Sequence, residues 1–168
     1  MILFLAACGS SKKANTGNTI KAKKPALPAD VISLCAQFEL EPSQVHNAKL
    51  YQVIYDWLGV PHKDNGCEKS GTDCSCFVKM VYNTVYKTDI GKHSKEMYDR
   101  TMRIQKNQLQ EGDLVFFVTK GKSVSHVGIY LHNQKFAHVS AKKGVHINSL
   151  QEAYYQKTYS GAGRRPKP

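Results

Sequence analysis

One change of period divides this chain and limits the folds open to it. Before about residue 102 apolar side chains recur at helical spacing, and from Leu114 onward they alternate. Val31 to Phe38 and Asn47 to Leu58 predict short helices; the second puts Leu50, Ile54, Trp57 and Leu58 on one side and stops at Gly59 and Pro61. Residues 59 to 72 are rich in turn formers and predict a loop. Asp73 is a good N-cap for a helix from Cys74 to Tyr86, in which Cys74, Phe77, Val78, Val81 and Val85 recur at helical spacing. A further helix is expected from Ser94, acting as its cap, to about Met102. Strands are expected at Leu114 to Val118, Ser125 to Leu131, Lys135 to Val139 and Val145 to Leu150, with short turns between them. A helical turn near Glu152 to Gln156 and a strand from Tyr159 to Arg165 complete the pattern. Helices first and strands second is an α+β order, with the helices on one face of a single antiparallel meander.

The 168 residues, 41% of them apolar, suffice for one compact domain and crowd two. No apolar run approaches the roughly 18 residues that span a bilayer. Lysine and arginine outnumber aspartate and glutamate by 24 to 13, a net charge of +11. That excess favours an anionic partner such as nucleic acid, a membrane surface or a carboxylate-rich polymer like bacterial cell wall. The basic residues are scattered and no zinc-finger or RNP-like motif accompanies them, which argues against nucleic acid. No Gly-rich phosphate loop and no His/Asp cluster with ligand spacing is present, so no metal, nucleotide or flavin cofactor is expected.

Residues Met1 to Gly9 read Met-Ile-Leu-Phe-Leu-Ala-Ala-Cys-Gly and resemble a bacterial lipobox, in which the cysteine is acylated and the peptide before it removed. A basic n-region and a longer h-region do not precede it, so residues 1–8 read as a truncated lipoprotein signal. On this reading Cys8 carries the lipid, and two or three acyl chains give stable anchoring. Residues 9–30 are rich in Ser, Lys, Asn, Thr, Gly and Pro and read as a disordered tether. The ordered domain is expected over residues 31–168, beginning near Asp30 or Val31.

Cys35, Cys67, Cys74 and Cys76 remain in the domain. An exported domain admits disulfides, and if Cys74 stays free at most one bridge forms among Cys35, Cys67 and Cys76, with the pairing open. The spacing of Cys67, Cys74 and Cys76 departs from that of a zinc knuckle. Cys76 lies about 200° round the helix from Cys74, which makes a bridge between those two improbable.

A thiolate is the nucleophilic form of cysteine, and a helix N-terminus is one of the places where its pKa falls. Cys74 occupies that place, directly behind Asp73. Thiol catalysis also needs a base and a polar group to orient the base. His126 opens one expected strand and His138 lies in the next, so a hairpin turning at residues 132–134 brings the two near each other.

Asp73-Cys74-Ser75-Cys76-Phe77-Val78, Gly112-Asp113-Leu114-Val115-Phe116-Phe117, His126-Val127-Gly128-Ile129-Tyr130, and Phe136-Ala137-His138-Val139-Ser140 with Gly144-Val145 resemble, in order and separation, the NlpC/P60 family of cell-wall cysteine peptidases. The similarity runs from about Tyr51 to Arg165 and is nearest to the single-domain Spr-type lipoprotein endopeptidases. The resemblance implies a papain-like α+β fold with the N-terminal helices on one antiparallel sheet of five to six strands. It implies cleavage of an amide bond in peptidoglycan stem peptides, next to the diamino acid, with Cys74 as nucleophile, His126 as base and then acid, and His138 orienting His126. The Cys74 N–H becomes an oxyanion donor, and Asp73, Ser75 and Ser125 become candidates for contacting the stem peptide. The implied setting is the bacterial cell envelope, lipid-anchored through Cys8 and facing the periplasm, with a monomer expected.

Two departures stand out. Twelve positions before the nucleophile the family usually carries a tyrosine aimed at the oxyanion, and this chain has His62. Two positions after the nucleophile the usual glycine is Cys76. Two other readings therefore stay open: a catalytically impaired cell-wall-binding lipoprotein, and a thiol amidase or transpeptidase on the same plan.

Overall fold

A computed structural model describes residues 26–166, so the expected lipidation site Cys8 and the leader and tether up to residue 25 lie outside the described residues. Helix α1 (Ala29–Gln37) begins directly after Pro28 and buries Val31, Leu34 and Cys35. It starts ahead of the expected tether boundary because Pro28 presets its own φ at −58° and its carbonyl accepts the Ile32 N–H. Helix α2 (Ala48–Trp57) is capped by Asn47, whose side chain accepts from the Leu50 N–H, and buries Leu50, Tyr51, Val53 and Ile54.

The segment read as a loop holds a small hairpin, β1 (Cys67–Glu68) and β2 (Gly71–Thr72), whose two-residue strands are too short to carry a period. Helix α3 (Cys74–Tyr86) follows with Asp73 as its cap, and Phe77, Val78, Val81 and Tyr82 form its buried side. In α4 (Ser94–Arg100) the capping position falls on His93, not on Ser94, and no side chain caps it. Glu96 holds that first turn by accepting the Lys92 N–H at 2.7 Å, which displaces the role expected of Ser94.

Strand β3 (Met102–Ile104) was not expected from the pattern; β4 (Leu114–Phe117), β5 (His126–Tyr130), β6 (Lys135–Ser140) and β7 (Gly144–Ser149) were. Helix α5 (Ala153–Thr158) and β8 (Tyr159–Arg164) end the domain. The six strands pair antiparallel in the order β3-β8-β4-β5-β6-β7. The meander expectation holds for β4 to β7, while β8 crosses back to lie between β3 and β4.

All four residues of β4 are buried, because both faces of the sheet are covered. Leu114, Phe116, Val127, Ile129, Ala137 and Val139 share one core with the apolar sides of α1 to α4. Val115, Phe117, Tyr130, Phe136, Leu150 and Ala162 share a second with Tyr155 of α5. The expectation of helices on one face alone is thus corrected: α5 seals the opposite face.

A forked ion pair joins the end of β8 to Asp113, the residue ahead of β4. Arg164 Nε donates to Asp113 Oδ1 at 2.8 Å and a terminal nitrogen to Oδ2 at 2.7 Å, while the Gln110 N–H also reaches Oδ2. Asp113 is 3% exposed, so losing the carboxylate strands a half-buried guanidinium and a backbone donor. Asp113→Ala is expected to lower stability by about 3 kcal/mol, read as a shift in the urea unfolding midpoint.

Candidate active site

Asp73 organises the start of α3. Its Oδ1 accepts the Cys76 N–H at 2.7 Å and the Ser75 hydroxyl at 2.8 Å, leaving Cys74 as the first helical residue with its side chain free. Cys76 points away from Cys74 and is joined to Cys67 in a disulfide, which settles the pairing the sequence left open. Among the described residues Cys35 and Cys74 are free thiols, the first buried and the second half-buried.

The disulfide ties the β1–β2 hairpin to the helix, and the hairpin in turn holds the segment before it. Thr72 N–H donates to Pro61, Lys63 N–H to Thr72, and Asp73 N–H to Gly66. His62 is thereby pinned beside Thr72, with Nε2 3.5 Å from Asp64 Oδ1. It is near enough to His126 for its charge to disfavour protonation there.

The Cys74 thiol lies against the start of β5, within hydrogen-bonding reach of the Val127 N–H, next in the chain to His126. Its pKa is pushed up to about 11, first by burial and further by Asp73; the amides of Val127, Ser75 and Cys74 itself pull the other way. The helix N-terminus acts in the expected direction and burial outweighs it.

His126 Nε2 stands 2.9 Å from His138 Nδ1. On the far side of that ring, His138 Nε2 is 2.8 Å from Asn148 Oδ1 and 3.1 Å from the Tyr155 hydroxyl. Three neighbouring strands supply His126, His138 and Asn148, all turned to the face that α5 covers. Phe117, Phe136 and Tyr155 crowd the two imidazoles, with ring centroids 5.0 to 5.9 Å away. Burial in this aromatic wall lowers the His126 pKa to about 3, helped by His138 and His62. Burial likewise lowers His138 to about 4, against the opposing hydrogen bond that its ring donates to Asn148 Oδ1. Each shift favours the neutral form, of the thiol and of both imidazoles.

The three stem-peptide candidates are engaged locally. Asp73 and Ser75 bond each other in the cap, and Ser125 Oγ accepts the N–H groups of Thr119 and Lys120, closing the β4–β5 turn ahead of His126. Any substrate contact they make has to compete with these bonds. Asn148, Tyr155 and the Val127 amide join the site without having been singled out in the sequence. The one signal for Asn148 was strand parity, which needs the register before it can be read, and Tyr155 sits in the short helix α5.

A family model described as the NlpC/P60 family matches residues 55–164. The chain belongs to the NlpC/P60 family. Over 96% of its length it is 30% identical to the Murein DD-endopeptidase MepS/Murein LD-carboxypeptidase of Escherichia coli K12, covering 86% of that protein. It is 35% identical to the probable endopeptidase NlpC homolog of Haemophilus influenzae over 68% of this chain, and spans 61% of that relative's length. An NlpC/P60 family protein from Bacillus cereus superposes with a TM-score of 0.66 at 29% identity, over 72% of this chain and 40% of that one. The papain-like α+β expectation and the family resemblance both hold, and the family is one of cysteine peptidases.

Two consequences can be measured. A Cβ placed on Gly128 of this NlpC/P60 domain would lie 2.7 Å from Phe136 Cδ2 and 3.2 Å from His138 Cβ. Gly128→Ala is therefore expected to displace the His138 ring and lower stability by about 1–3 kcal/mol, visible as a loss in Tm. Acid acts through the histidines. In the unfolded chain they bind protons near pH 6.5, whereas the fold holds them neutral down to about pH 3–4. Between those limits the unfolded state binds more protons, so stability falls as pH drops. Tm should decline from pH 6.5 to pH 4, and less steeply in His126→Gln.

Proposed function

We propose that this chain is a peptidoglycan endopeptidase that hydrolyses an amide bond next to the diamino acid of a stem peptide through Cys74, His126 and His138. The observation carrying this reading is the His126–His138 contact at 2.9 Å with the Cys74 thiol set against the next residue along β5. As the sulfur attacks the carbonyl carbon, its proton passes to His126 Nδ1, the ring nitrogen not engaged by His138. His138 holds the imidazolium in place. The tetrahedral oxyanion forms at the α3 N-terminus, where the Cys74 N–H donates to it, and His62 is the side-chain candidate for a second donor. Collapse breaks the C–N bond, and the amine leaves with the proton from His126. Water, deprotonated by His126, then attacks the thioester, releasing the carboxylic acid and restoring the thiol.

A resting neutral pair suits this scheme, since proton transfer then accompanies attack instead of preceding it. Two bonds fit the reading, the D-glutamyl-diaminopimelate linkage within a stem and the D-alanyl-diaminopimelate cross-link. The murein DD-endopeptidase name of the Escherichia coli relative favours the cross-link. The net charge of +11 suits an anionic polymer. The setting proposed is the cell envelope, with Cys8 as the lipid anchor.

Mass spectrometry of cross-linked and monomeric muropeptides incubated with the parent and with Cys74→Ala tests the reading. The parent is expected to generate fragments whose masses name the bond, and Cys74→Ala to lose the rate by at least about 10³-fold. Equal cleavage by both proteins overturns the thiol mechanism. Binding without cleavage by either one replaces it with a cell-wall-binding role.

A further inference from the structure

The contacts beyond His138 continue to a carboxylate. Asn148 Nδ2 donates to both oxygens of Glu152 at 2.9 Å, and the Ser149 N–H donates to Oε1 at 2.8 Å. The series thus runs His126, His138, Asn148, Glu152, from β5 across β6 and β7 to the residue that leads into α5.

Each link in such a series has a direction, set by which partner holds the hydrogen. An imidazole, an amide and a tyrosine hydroxyl can each face either way, but a carboxylate offers only lone pairs. Glu152 therefore requires the NH₂ end of Asn148. With that end committed, Oδ1 faces His138 Nε2, which must carry a hydrogen. Neutral His138 then has its lone pair on Nδ1, and His126 must donate to it from Nε2. The remaining nitrogen, His126 Nδ1, is left as an acceptor. Tyr155 Oη, 3.1 Å from His138 Nε2, adapts to either direction and so does not decide it.

We propose that Glu152, acting through Asn148, is a positioning residue that fixes the tautomers of His138 and His126 and so keeps the basic nitrogen of His126 available to Cys74. This rests on the thiol mechanism for its use, though the tautomers themselves exist without turnover. Neither residue touches the reacting atoms. In the reversed arrangement His126 carries its hydrogen on Nδ1, and the thiol proton has nowhere to go.

Glu152 is exposed, so Glu152→Gln tests the idea without opening the core. A glutamine amide can present either end, which releases Asn148 to turn over. The double variant Asn148→Asp/Glu152→Gln puts an obligate acceptor directly against His138 and restores the direction. Ring ¹⁵N shifts from long-range ¹H–¹⁵N spectra, recorded on the full chain at pH 7.5 in a Cys74→Ala background, report each tautomer. His126 and His138 are both expected as Nε2–H forms. Glu152→Gln should give a mixture at both rings, and the double variant should return them to Nε2–H. An Nδ1–H form at either ring of the parent, or no change in Glu152→Gln, overturns the proposal.

Kinetics on muropeptides with Cys74 intact give the second readout. Glu152→Gln is expected to lower kcat by about tenfold with KM unchanged, and the double variant to recover to within about twofold. A single and a double variant equally impaired would indicate a structural role and defeat the proposal. A parent that cuts nothing while its tautomers behave as described would sink the proposed function and leave this assignment standing.

Discussion

Side chains alternate across a strand, so a slip of one residue between β5 and β6 would turn His138 toward the large helical core and leave His126 alone beside Phe117. The native register avoids this because the same slip would carry Ala137 and Val139 out of that core and drive Phe136 into it. Apolar packing on two faces thus selects the alignment of polar groups that no packing term rewards directly. Six paired positions between β6 and β7, from Lys135↔Ser149 to Ser140↔Gly144, extend the same parity to Asn148. Gly128 completes the arrangement by leaving the space that the His138 ring and Phe136 occupy.

Burial then decides the charge state. A thiolate and an imidazolium are both disfavoured out of water, so Cys74 shifts upward and the two histidines downward, all toward their neutral forms. Neutral groups still need hydrogen-bond partners, and the line from His126 to Glu152 supplies them until it reaches solvent. His132 shows the same rule away from the site. Buried at the β5–β6 turn, it accepts the Glu41 N–H at Nε2 and meets the Tyr51 hydroxyl at Nδ1, joining helix α2 to the sheet.

Much of this was legible from spacing. Asp73 and the apolar positions of α3 announced their helix, and β4 to β7 fell where alternation placed them, because both signals repeat over several residues. Strands β1, β2 and β3 carry no such repeat; β3 exists through its pairing with β8, distant in sequence. Ser94 is a strong capping type, yet the turn it opens is held by Glu96, a competition that composition does not resolve. Cys74, His126 and His138 stood out by residue type and motif. Asn148 and Glu152 did not, since an asparagine in a strand and a glutamate before a helix are ordinary until the register sets them in line. The direction of the thiol shift was misleading in the sequence because a helix N-terminus can be read there and depth of burial cannot.

The Cys67–Cys76 bridge brackets Cys74 in sequence, and this decides which thiols are left for Cys74 to pair with. A free thiol nearby can capture an oxidised cysteine as a disulfide. Here the two cysteines nearest along the chain are bonded to one another, and Cys35, on the buried side of α1, is a member of the helical core. With Cys76 held by Cys67, neither of the two cysteines nearest along the chain offers Cys74 a free thiol to pair with.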